Sequence, residues 1–118
     1  MFRDSLRTLV EKSDGAVAGL LMGFDGIAVE SFAKESQKLD IQTIGMEFSF
    51  NLAQVKKAAD IIEGGSVEEI TIRTERLTLL IRVLSKDYFV ALALQPGGNS
   101  GKGRYMLRVT APKIQAEL

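Results

Sequence analysis

The stretch from Asp40 to Gly65 reads as one long helix that is apolar on two opposite sides. At about 100° per residue, Ile41, Ile44, Phe48, Leu52, Val55, Ala59 and Ile62 fall on one stripe. Met46, Phe50, Ala53 and Ile61 fall roughly opposite, interrupted by Lys57. A surface helix of a small domain needs only one apolar face. The second face calls for another protein or for more of the same chain.

At 118 residues the chain is expected to form one domain spanning 1–118, large enough for a real core. It has no cysteine, which removes disulfides, thiol catalysis and thiolate metal sites together. It has no histidine, the commonest general base and metal ligand. Fifteen basic and fifteen acidic side chains balance, so nothing in the overall charge draws it to nucleic acid or to an anionic membrane. The apolar runs are far shorter than the roughly 20 residues of a membrane-spanning helix. Met1-Phe2-Arg3-Asp4 lacks the basic-then-apolar pattern of a secretory signal, and a cytoplasmic location is expected.

Phe2, Leu6, Leu9 and Val10 repeat at helical spacing, ending near Ser13-Asp14-Gly15, where glycine can take the left-handed stop. Two apolar runs follow, Ala16 to Phe24 and Ile27 to Phe32. The Asp25-Gly26 pair between them predicts a hairpin with positive φ at both turn positions. Residues Ala33 to Leu39 are polar and predict a loop. Asp40 is placed to cap the long helix, and Gly64-Gly65 to stop it.

Three strand-like runs come next, Ser66 to Thr74, Arg76 to Leu84 and Tyr88 to Leu94, joined so tightly that they must pair antiparallel. The middle run is apolar on both faces, so it belongs inside a sheet covered on both sides. The first has one mostly polar face, with Glu69, Thr71 and Arg73, and suits an edge. After the breakers Gln95 to Gly101, a last helix is expected from about Arg104, kinked or late because Val109, Thr110 and Pro112 sit poorly inside one.

That order, with Gly15-Ala16-Val17-Ala18-Gly19-Leu20, Phe24-Asp25-Gly26-Ile27-Ala28-Val29-Glu30-Ser31, Glu69-Ile70-Thr71-Ile72 and Pro96-Gly97-Gly98-Asn99-Ser100-Gly101 before Arg104-Tyr105, resembles the roadblock/dynein light chain family. Within it, the chain looks like the MglB-like bacterial regulators of small Ras-like GTPases. The resemblance covers almost the whole chain. It implies an α+β fold, α-β-β-α-β-β-β-α, with a five-stranded antiparallel sheet. The long central helix would lie on one face and the two terminal helices on the other.

It also implies homodimers or heterodimers whose third strands pair edge to edge while the long helices pack side by side. In MglB-like members the partner is a small Ras-like GTPase, whose own catalytic groups are repositioned rather than joined by an arginine finger. Met46, Phe50, Ala53 and Ile61, with Lys57 between them, are then the expected helix seam. Gly45 and Ser49 would be small enough to let a partner helix approach. Glu69, Thr71 and Arg73 would lie at the paired strands, and Gln54, Lys57 and Asp60 would be free to touch a GTPase.

No enzyme and no cofactor are expected. Gly97-Gly98-Asn99-Ser100-Gly101-Lys102-Gly103 looks like a phosphate loop. However, Walker A needs four residues between its first glycine and Gly-Lys, then Ser or Thr, and it joins a parallel strand to a helix. A turn and the start of a helix is the plainer reading. The carboxylates are scattered, apart from Glu68-Glu69 on opposite faces of a strand. Arg73, Arg76 and Arg82 read as solvated or paired edge charges. The chain is thus expected to be a homodimeric platform that regulates a small Ras-like GTPase. The alternative is an architectural dimer that scaffolds a larger complex without touching hydrolysis.

Overall fold

The central strands are apolar on both sides, and the fold follows from burying them twice. The computed structural model describes residues 1–35 and 39–118. Its elements run α1 (Phe2–Glu11), β1 (Ala16–Gly23), β2 (Ala28–Ala33), α2 (Ile41–Ile61), β3 (Glu69–Arg73), β4 (Thr78–Val83), β5 (Tyr88–Leu94) and α3 (Ser100–Ala116). The strands form one antiparallel sheet in the order β2-β1-β5-β4-β3. This is the predicted architecture.

Alternation along β4 and β5 sends side chains to two separate cores. Leu79, Ile81, Phe89, Ala91 and Ala93 meet Ile41 and Leu52 of α2 on one face. Leu80, Leu84, Val90, Leu92 and Leu94 meet Leu6, Leu9 and Val10 of α1 and Leu107, Ala111 and Ile114 of α3 on the other. β2 and β3 are the sheet edges, and for β3 the polar face of Glu69, Thr71 and Arg73 foretold it.

Local chemistry moves several boundaries. In the hairpin, only Gly26 has positive φ, at 86°, and Asp25 does not. The Gly26 amide donates to the Gly23 carbonyl, and Asp25 Oδ1 accepts from the Ile27 amide. The turn is a three-residue loop rather than a two-residue one. β2 runs on through Ala33, and of the loop expected at Ala33 to Leu39, residues 36–38 lie outside those described.

At the end of α2 the left-handed residue that follows the cap is Glu63, with φ 56°, and of the two glycines Gly65, with φ 82°, is left-handed while Gly64 is not. The Gly64 amide closes the helix onto the Ala59 carbonyl at 2.9 Å. α3 begins four residues earlier than expected, because Asn99 Oδ1 accepts from the Lys102 amide at 2.9 Å and caps it there. Pro112 is carried inside that helix.

One backbone contact ties the two ends of the chain together. The Asp14 and Gly15 carbonyls accept from the Asn99 and Gln95 amides, both at 2.9 Å, which pins the β5–α3 loop to the α1–β1 turn. Gly15 has φ 85°, and a Cβ there would stand 2.4 Å from Gly98 Cα. Gly15→Ala is therefore expected to cost roughly 2–4 kcal/mol, read as a lower urea midpoint with an unchanged slope.

Candidate functional site

α2 touches its own sheet through a narrower stripe than its sequence suggests. Ile41, Gly45, Ser49 and Leu52 are buried, and Ile44 and Phe48 pack beside them. Gly45 and Ser49, expected at a seam between paired helices, instead face their own sheet. A Cβ on Gly45 would lie 2.2 Å from Leu20 Cδ2 and 3.1 Å from Met22 Sδ, so the small residue serves the approach of β1. Ser49 is satisfied internally, its hydroxyl donating to the Met46 carbonyl at 2.8 Å.

The expected sheet-facing stripe also fails at its C-terminal end, where Val55 and Ile62 are exposed. α2 is about 31 Å long, whereas the strands beneath it span roughly 17–27 Å. Lys56 marks the overhang: its Nζ donates to the Lys86 carbonyl in the β4–β5 turn at 2.7 Å and lies 3.6 Å from the centre of the Phe24 ring. Burial lowers the Lys56 pKa, with Asp87 and Asp60 opposing. Beyond Lys56, Ile61 and Ile62 project past the sheet, 74% and 77% exposed.

The two flanks of α2 point to different sheet edges. Gln42 Nε2 donates to Ser31 Oγ on β2, and Met46 lines a shallow cleft with Gly26 and Ala28. This flank, with Ala53 seven residues on, overlooks β2. Ile44, Phe48, Val55 and Ile62 occupy the opposite flank and overlook β3, whose Ile70 and Ile72 are half-buried on the same face of the sheet. Phe50, Lys57, Gln54 and Ile61 point outward, and Asp60 lines a cleft of about 400 Å³ with Lys56, Ser66, Val67 and Arg82. The sequence reading missed the shelf made by Val55, Ile62, Ile70 and Ile72. Its signal was the seven-residue spacing from Phe48 to Val55 to Ile62, hidden because the stripe reads as core.

The two sheet edges differ in how their outward backbone groups are treated. On β2, the Ser31 carbonyl accepts from Arg3 at 2.8 Å and the Ser31 amide donates to Glu30 at 3.1 Å, so side chains occupy both outward groups of the residue at the middle of that edge. On β3, the Val83 amide donates to Glu68 and the Thr74 amide to Leu77, with Ile70 opposite Ile81 and Ile72 opposite Leu79. In that antiparallel alternation Glu69, Thr71 and Arg73 turn their amides and carbonyls outward. Among the described residues no side chain caps them. Among the described residues, the only ion pair touching this row joins Glu69 to Arg82 at 3.6 Å.

Among the described residues no group of three potential ligands could hold a metal, and no helix is long and apolar enough to cross a membrane. The Asp40 carboxyl is held below its ordinary pKa by hydrogen bonds from the Thr43 hydroxyl and amide, a helix-capping arrangement.

A sheet sandwiched between one long helix and two terminal helices, with a bare third strand, defines a roadblock-type domain. No known family profile matches the sequence, and none of the curated proteins matches it. Among solved structures it is 44% identical to MglC from Myxococcus xanthus over 99% of this chain and 98% of that one, with a TM-score of 0.73. The gliding protein MglB from Thermus thermophilus shares the fold at 16% identity, 98% and 88% coverage and a TM-score of 0.83. A Roadblock/LC7 domain from Streptomyces avermitilis does so at 13% identity, 96% and 93% coverage and a TM-score of 0.81. The chain belongs to the MglB-like roadblock family.

The division of α2 into inner and outer faces is directly measurable. Leu52→Ala, at a fully buried position, is expected to cost about 2–5 kcal/mol in urea unfolding. Phe50→Ser, at a position 68% exposed, should change the subunit's own stability by less than about 0.5 kcal/mol.

Proposed function

We propose that the chain forms a homodimer through its β3 edges, and that the dimer is a binding platform for a small Ras-like GTPase whose nucleotide state it regulates. The observation that carries the dimer is the open β3 edge with the apolar shelf beside it. Membership of the MglB-like roadblock family supports the GTPase as partner.

The edge is complementary to itself. A two-fold axis through Thr71 sets Thr71 opposite its own copy and Glu69 opposite Arg73 of the second copy, so every outward backbone group on the three residues finds a partner. Shifting the pairing by two residues in one direction faces Glu69 with Glu75, a like-charge pair. In the centred register the two α2 helices come together along the flanks that overlook β3. The seam is then Phe48, Val55 and Ile62 above Ile70 and Ile72. This moves it away from Met46, Ala53 and Ile61. Met46, Phe50 and Ile61 remain on the outside of the dimer with Gln54 and Lys57, as a surface for the GTPase. α2 contains no arginine, so a GTPase docked there would be offered no arginine finger from that helix.

Thr71→Pro tests the dimer cleanly, because it deletes an amide that the subunit's own sheet does not use. The wild type should run as a dimer at micromolar concentration in light scattering. Thr71→Pro and Ile62→Glu should run as folded monomers. A dimer that survives both would overturn the β3 pairing. The GTPase reading is tested separately, by mixing the dimer with the small Ras-like GTPases of the same genome and following GTP turnover and complex formation. Neither binding nor a change in turnover, with the dimer intact, would leave the architectural role.

A further inference from the structure

We propose that the N-terminus of α3 is an oxyanion site that takes a single phosphate group carried by a small solute, with the Thr78 hydroxyl at its floor. The place is a polar cavity of about 230 Å³ between the β3–β4 turn and the β5–α3 loop, lined by Arg73, Glu75, Thr78, Gly98 and Ser100.

Two independent features point to a ligand there. The first is the helix end itself. Asn99 Oδ1 takes the Lys102 amide and the Asn99 carbonyl takes the Gly103 amide, which leaves the Ser100 and Gly101 amides with no partner among the described residues. Free amides at the positive end of a 17-residue helix favour an anion.

The second feature is Thr78, on β4 directly opposite Arg73 and therefore on the same face of the sheet. It is only 7% exposed, yet its hydroxyl makes no hydrogen bond among the described residues. No side-chain oxygen or nitrogen that is wholly shut off from solvent lacks a partner among the described residues. The Thr78 hydroxyl is therefore reached from the cavity that the residue lines. A buried hydroxyl open on one side only is a donor waiting for an acceptor.

The surroundings hold this geometry still. The β5–α3 loop is fastened to Asp14 and Gly15, and Thr74 Oγ1 bonds both the carbonyl and the amide of Leu77, closing the turn that carries Glu75. Arg73 supplies the positive charge and is in no ion pair among the described residues. Glu75 stands on the rim and opposes any anion, which limits affinity. With one helix end and one guanidinium, the site suits one phosphate and not the chain of phosphates a Walker loop wraps. β5 also reaches the helix from an antiparallel sheet.

The proposal does not rest on the dimer. Arg73 takes part in both, and its five donors suffice for both contacts. The test therefore uses Thr78 and Glu75, which lie off the open edge. Inorganic phosphate is titrated into the whole chain at constant ionic strength set by sodium chloride, following backbone amide shifts. Saturable shifts centred on the Ser100 and Gly101 amides are expected, with acetate, the carboxylate control, binding more weakly. Thr78→Val keeps the shape and removes the hydroxyl, and should weaken binding about tenfold. Glu75→Gln should tighten it a few-fold. Shifts that are diffuse and non-saturating, or that respond to neither variant while circular dichroism shows both folded, would overturn the site.

Discussion

Three helices cannot cover both faces of a five-stranded sheet, and most of what distinguishes this molecule follows from that shortfall. Strands spaced about 4.8 Å apart make a sheet about 20 Å wide between its outer strands, while one helix covers a strip about 10 Å across. On one face α1 and α3 lie side by side over β1, β2, β4 and β5, and β3 is left outside them. On the other face α2 lies over β1 and β2, and its Ile44 and Phe48 pack with Leu77, Ile70 and Ile72 against the cluster that holds Leu79 and Ile81. β3 is thus held by its ladder to β4 and by the half-burial of Ile70 and Ile72. A strand so placed leaves one row of backbone groups open to another chain.

The same shortfall explains why α2 is greasy on more than one side. A helix longer than its strands cannot seat all its turns, so Val55 is left 44% exposed and Ile61 and Ile62 74% and 77% exposed. Lys56 is the last residue with a firm hold on the sheet, and it reaches that hold by laying its ammonium against Phe24. At the opposite end of the sheet the arrangement is tighter: Gly15 and Gly98 meet backbone to backbone, which no larger residue would allow.

Alternation and turn chemistry made the element order, the antiparallel pairing and the edge position of β3 legible in the sequence. The two-faced apolar run of β4 announced a sheet covered on both sides. What misled was helical periodicity treated as if the helix were shorter than the sheet. Val55 and Ile62 share a stripe with Leu52, and nothing in the chain itself says where the sheet ends. Gly45 and Ser49 carry the converse lesson, since a small residue on a helix permits close approach without saying whose. The start of α3 was misplaced because the glycines around Asn99 outweighed its capping side chain. The uncapped state of β3 was not legible, because it depends on which residues fall outward in the ladder and on Arg3 and Glu30 being spent at the other edge.

The charge order on β3 has a consequence for descent as well as for assembly. In the proposed pairing a Glu-x-Thr-x-Arg edge read against its own reverse matches its own charges, so one gene would suffice for a symmetric pair. After a gene duplication, a copy carrying arginine at position 69 would repel its own kind along that edge, as would a copy carrying glutamate at position 73. Each would still be the electrostatic match of the other. One substitution in each of two paralogues would therefore turn a self-pairing subunit into an obligate mixed pair, with the core, the helices and the fold left untouched.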